Sequence, residues 1–239
     1  MYKTAFTTLL LGGLLAAGDA FTSRSVAFPP PKPGGPHGKH GPDHLRHAYD
    51  TLSEVALLLA HAERSSADRD QTLFDEASQL YRSALKARED GQTERAGELG
   101  VAANDGGRGL RHLLRATLKS NVDLPPPPET DERHDAEQKA RKDIRRAYDR
   151  ASDARGEGYD KGPGQKFLEA SRKVYNQARR AFEDEDYARA AELAKAAEAW
   201  THVGEHLARA DGDQSGEERR PPDNHRAAAQ DDALPPPLD

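Results

Sequence analysis

Between residues 43 and 210 the apolar positions recur every three or four residues, the spacing that lines one face of an α-helix. On the N-terminal side of that span the stripes are Leu45, Ala48, Tyr49, Leu52, Ala56 and Leu59, then Phe74, Ala77, Tyr81 and Ala84 or Leu85, then Ala96, Leu99, Ala103, Gly106, Leu110 and Leu113. On the C-terminal side they are Ile144, Ala147, Tyr148 and Ala151, then Phe167, Val174, Ala178 and Phe182, then Ala190, Leu193, Ala197, Trp200, Val203 and Leu207. Polar or glycine-rich clusters interrupt the periodicity at 65–70, 90–92, 156–164 and 183–186 and read as loops. The pattern predicts an all-α protein with three helices on each side of a central break, and no strands. Gly106, Gly107 and Gly109 fall inside the third helix and are expected to weaken or kink it, at about 1 kcal/mol each relative to Ala.

That break is the stretch Lys119 to Glu132, where four consecutive prolines, Pro125 to Pro128, should form a semi-rigid polyproline spacer. Across it the chain repeats itself. Tyr81 to Ala116 aligns without gaps on Tyr175 to Ala210 with 15 of 36 positions identical, among them Tyr81/Tyr175, Glu98/Glu192 and His112/His206. Upstream, LRHAYD (Leu45 to Asp50) matches IRRAYD (Ile144 to Asp149) at an offset of 99 instead of 94, so the second copy is five residues shorter between its first two helices. The expected organisation is two tandem homologous three-helix antiparallel units, residues 43–118 and 133–210, joined by a Pro-rich spacer at 119–132. Tyr49/Tyr148 and Tyr81/Tyr175 lie on apolar stripes in both copies and read as core residues with a solvated or hydrogen-bonded hydroxyl.

Composition narrows the class further. Only 37 of 239 residues are Leu, Val, Ile or Phe, about 15%, whereas 38 are Ala, which suits slim, closely approaching helices with disordered flanks. Residues 21–42 (FTSRSVAFPPPKPGGPHGKHGP) cannot hold a helix and read as a Pro/Gly/His-rich disordered arm, and 211–239 reads as a disordered tail. Lys3 followed by the 13-residue apolar run Ala5 to Ala17 reads as a signal peptide of residues 1–20, cut after Ala20 or after Gly18. The run is too short to span a bilayer, so the expected location is periplasmic or extracellular, with no membrane span. A formal net charge of −6 gives no general attraction to nucleic acid or anionic lipid. With no Cys, disulfides, thiolate zinc sites, cysteine catalysis and iron–sulfur clusters are excluded.

The short turns EDGQT and EDEDY imply antiparallel hairpins between the second and third helices of each copy. The segment AFEDEDYARAAELAKAAEA, Ala181 to Ala199, resembles the helix-turn-helix of a tetratricopeptide repeat, with Asp186-Tyr187 at the turn and Ala190 and Ala197 at the small positions of the second helix. The resemblance covers about one hairpin per unit and implies a protein- or peptide-binding scaffold, with a partner in the cell envelope. A plain three-helix bundle fits the same pattern.

Histidines supply the other candidate chemistry. His37, His40, His44 and His47 run from the arm into the first helix at spacings of 3, 4 and 3, which puts His44 and His47 on one helical face. Imidazoles so placed are candidate ligands for Zn(II), Ni(II) or Cu(II), the alternative being a polar tether without a ligand. His202-Val203-Gly204-Glu205-His206 spells H-x-x-E-H, the inverted zinc-peptidase signature, in which two His bind zinc and the Glu activates water. Only 33 residues follow it to supply a further acidic ligand, and the first copy has Arg108, Arg111 and His112 in the matching places. The basic run from Lys139 to Arg155 reads as a solvated helix face, and the glycines of 156–164 lack the spacing of a phosphate loop. The expected function is thus a non-enzymatic binding or scaffold module. A divalent-metal-binding protein using His37, His40, His44, His47, His202 and His206 is the alternative, and an H-x-x-E-H zinc hydrolase the remote one.

Overall fold

The computed structural model describes residues 29–30, 42–61, 67–120, 130–157, 164–215 and 235–236. The expected signal peptide, His37 and His40, most of the Pro-rich spacer and most of the tail lie outside them. The described residues form helices α1 (Pro42–His61), α2 (Ala67–Glu89), α3 (Thr93–Ser120), α4 (Thr130–Gly156), α5 (Gln165–Glu183) and α6 (Tyr187–Ser215), with no strand among them. The helices outrun several expected limits. Residues 67–70, read as part of a loop, belong to α2, and α6 continues to Ser215, past the point at which the tail was expected to begin.

α3 and α6 sit at the centre and pack most extensively on each other, with α1 and α2 against α3 and α4 and α5 against α6. All six contribute to a common core. Alanine makes this possible: Ala102 and Ala103 on α3 and Ala196 and Ala197 on α6 are fully buried, so backbones approach where larger side chains would hold them apart. Large residues fill what remains, Leu45 and Leu52 from α1, Phe74 and Tyr81 from α2, Ile144 from α4, Phe167 and Tyr175 from α5 and Trp200 from α6.

Gly106, Gly107 and Gly109 do not interrupt α3; they make room for neighbours. A Cβ on Gly106 would stand 3.0 Å from Ala77 Cβ, one on Gly107 2.9 Å from Thr51 Cγ2, and one on Gly109 would overlap the Trp200 indole. The helix therefore gives up about 1 kcal/mol of propensity per glycine and in return admits α1, α2 and Trp200 at close range.

The two hairpin turns share the hydrogen bonds that close each helix. Gly91 N–H donates to Arg88 O and Gln92 N–H to Ala87 O at 3.1 and 2.8 Å; Glu185 N–H donates to Phe182 O and Asp186 N–H to Ala181 O at 3.0 and 2.8 Å. This is the Schellman closure, which needs a left-handed residue after the helix. Gly91 supplies it at φ 78°, but its counterpart is Glu185 at φ 62°. A side chain in that region costs about 1 kcal/mol, and the exposed Glu185–Arg133 ion pair offsets little of it. Glu185→Gly should accordingly raise stability by about 0.5–1 kcal/mol in urea unfolding; an unchanged or lower midpoint would show that the turn carries no strain.

Candidate functional site

Two sets of side chains stand out, one inside the α3–α6 contact and one on the flanks. At the centre, identical residues of the two aligned stretches reach across to each other's partners. His112 Nδ1 of α3 lies 2.9 Å from Glu192 Oε2 of α6, while His206 Nδ1 of α6 lies 2.7 Å from Glu98 Oε2 of α3. Since His112 matches His206 and Glu98 matches Glu192, the contact is reciprocal, as at a two-fold interface. Near the centre of that exchange, Trp200 meets the residue at its own matching position: its fully buried indole Nε1–H donates to Gly106 O at 3.2 Å. Tryptophan on one side and glycine on the other fill a space that two tryptophans could not share.

The electrostatics follow from this geometry. The His112 hydrogen bond, helped by Lys195 at 3.1 Å, holds the Glu192 carboxyl down at about 2, against the opposing effect of burial. Burial pushes the Asp105 carboxyl up, opposed by Arg108 at 3.0 Å and by His206. His202 is raised and Glu205 lowered by their shared hydrogen bond at 3.3 Å.

The H-x-x-E-H residues are thus occupied within the packing. Glu205 faces His202 of its own motif and lies 3.6 Å from Arg209. His206 turns towards α3, with Glu98 at Nδ1 and Asp105 3.8 Å from Nε2. His202 and His206 consequently meet different carboxylates. His44 and His47 are exposed on α1. Among the described residues no group of three or more His, Asp or Glu side chains is arranged to hold a metal ion, and none of their helices is long and apolar enough to cross a membrane. The basic run of α4 is partly tied down: Arg146 bridges Asp143 at 2.8 Å and Glu198 at 2.9 Å, and Arg141 pairs with Glu137 and lies over the Phe182 ring.

On the flanks stand the duplicated tyrosines. Tyr49 of α1 and Tyr81 of α2 have ring centroids 6.4 Å apart and planes tilted by 45°; Tyr148 of α4 and Tyr175 of α5 are 6.2 Å apart and tilted by 40°. Tyr81 and Tyr175 are completely buried, and each hydroxyl leaves the helical core to meet a main-chain carbonyl from a segment outside the six helices. Tyr81 OH donates to Pro29 O at 3.0 Å and Tyr175 OH to Pro235 O at 3.1 Å. Burial raises both phenols, Tyr175 to about 12, so each hydroxyl keeps the proton it donates. The repetition of the tyrosines is visible in the sequence; their acceptors are not, because they lie 52 residues before Tyr81 and 60 after Tyr175.

No protein-family model, curated protein or solved structure matches this chain.

Proposed function

We propose that the chain is an exported, non-enzymatic scaffold of two homologous three-helix units whose outer faces bind extended segments of protein or peptide partners. The observation that carries this reading is the equivalence of the two tyrosine sites. In each, a buried hydroxyl presents its proton to the main-chain carbonyl of a segment that belongs to no helix. Main-chain capture of that kind suits peptide recognition, in which backbone hydrogen bonds position a ligand and neighbouring side chains select it. The histidines and carboxylates engaged at the α3–α6 contact fit the same reading, as parts that hold the two halves together. Export rests on the basic start and 13-residue apolar run of the sequence, and a mature chain beginning at Phe21 or Asp19 is its expected product.

The test is an array of immobilised peptides of varied composition, extended and helical, probed with the full mature chain and with its Tyr81→Phe/Tyr175→Phe variant. Retention by extended peptides that falls about fivefold or more in the variant is expected, the usual effect of one hydrogen bond. Absence of retention, or retention indifferent to the hydroxyls, would overturn the proposal.

A further inference from the structure

The two segments that reach the tyrosines are not copies of each other. One lies ahead of the first helix and the other behind the last, so the duplication that produced the tyrosine pairs did not produce their occupants. Yet the occupants agree in chemistry and in register. Pro29 opens the run Pro29-Pro30-Pro31 and follows Phe28; Pro235 opens Pro235-Pro236-Pro237 and follows Leu234. In both cases the carbonyl that accepts the tyrosine proton belongs to the first proline of three, preceded by a large apolar residue. Prolines are 16 of the 239 residues, so a tyrosine that met main chain indiscriminately would seldom find one, and two such tyrosines would very seldom both find the same place in a triplet.

Resting on the scaffold reading, we propose that each tyrosine pair, Tyr49/Tyr81 and Tyr148/Tyr175, forms a docking site for a polyproline II segment of the pattern apolar-Pro-Pro-Pro, and that the chain's own Pro29-Pro30 and Pro235-Pro236 fill the two sites. A proline triplet suits such a site. Its prolines have no N–H to donate, its carbonyls are left free by a helix with no internal hydrogen bonds, and it is already close to the bound conformation, so little entropy is lost on docking. Aromatic faces that pack proline rings, with a hydroxyl that takes a carbonyl, are the usual receptor for this ligand. Pro29, Pro30 and Pro236 remain exposed, so the occupying segments lie at the surface, where a competing strand can replace them. A third run of the same pattern, Leu124-Pro125-Pro126-Pro127, belongs to the spacer, so three such runs are available for two sites.

The experiment compares the full mature chain with a variant in which residues 28–31 and 234–237 are each replaced by Gly-Ser-Gly-Ser. The probe is fluorescein-labelled Ala-Leu-Pro-Pro-Pro-Leu-Asp, followed by anisotropy. Tethered segments act at millimolar effective concentration. The variant should therefore bind two probe molecules, and the native chain should bind about tenfold more weakly or not measurably. Adding Tyr81→Phe and Tyr175→Phe, which keep the rings and the fold, should weaken binding by about fivefold to tenfold at both sites. A second probe, Ala-Leu-Ala-Ala-Ala-Leu-Asp, separates the two proposals. Equal, tyrosine-dependent binding of both probes would remove the proline specificity and leave the scaffold reading standing. If the opened variant, helical by circular dichroism, binds neither probe, both proposals fall.

Discussion

Gly109→Ala should destabilise the protein by about 2 kcal/mol, although alanine is the better helix former. Two effects oppose each other at this position. Propensity favours the substitution by about 1 kcal/mol. Against it, the new methyl would occupy the space of the Trp200 indole, which is fully buried and tied through Nε1–H to Gly106 O at 3.2 Å. Neither α3 nor α6 can retreat without opening the core they share, and overpacking of this kind costs about 1–3 kcal/mol, occasionally more. The midpoint of thermal unfolding should fall by about 4–8 °C. Trp200→Phe should be destabilising alone but should reduce the effect of Gly109→Ala, giving a coupling of about 1–2 kcal/mol in a double-mutant cycle. A neutral or stabilising Gly109→Ala would mean that the indole does not lie over that glycine.

The second large effect expected is acid sensitivity centred on Glu192. Its carboxyl is held at about 2 by His112 and Lys195, well below the ordinary 4.5. A carboxylate with a lower pKa folded than unfolded binds its proton less readily in the native state. Its contribution is therefore complete above about 4.5 and is lost as the pH falls towards 2. Glu192→Gln should lower stability by about 2 kcal/mol at pH 7, the range for a hydrogen bond to a charged group. It should also flatten the decline of the urea midpoint between pH 4.5 and 2. Glu98→Gln on the reciprocal pair should cost less, because Glu98 is 27% exposed where Glu192 is 13%. Parallel pH profiles for native chain and Glu192→Gln would place the acid response elsewhere.

The α3–α6 contact explains why these two predictions concern the same few residues. The matched positions His112/His206, Glu98/Glu192 and Gly106/Trp200 are all spent on joining the halves, the first two by reciprocal hydrogen bonds and the third by a large residue set against a small one. This leaves the outer faces, where the tyrosine pairs stand, to meet other segments. The same division accounts for the fate of the motif residues: His202, Glu205 and His206 look like a catalytic set in one dimension, but His206 is turned onto Glu98 and Asp105 of α3 while His202 and Glu205 pair with each other on α6.

Much of this architecture is legible in the amino-acid order, because helical periodicity is local. The spacing of Leu45, Ala48 and Leu52, or of Leu193, Ala197 and Trp200, marks a buried face whatever it packs against, and those faces are buried. The alignment matches Tyr81 to Tyr175 and His112 to His206 from the amino-acid order alone, and the turns at 90–92 and 184–186 announce themselves by composition. Val55 and Leu73 join the core although the stripes pass over them, since the buried arc of a helix widens where two neighbours cover it. Gly109 reads as a weakness until Trp200, 91 residues later, is seen to need the space. Long-range pairings of this kind, like the reach of Pro29 and Pro235 to the tyrosines, leave no periodic mark on the chain. A contact between distant residues depends on which faces two helices turn to each other, and local preference does not record that. The sequence by itself thus determined the helices and most of the faces they bury, because both follow from local spacing; the tertiary structure alone decided that α3 and α6 pack on each other, and what meets the tyrosine hydroxyls.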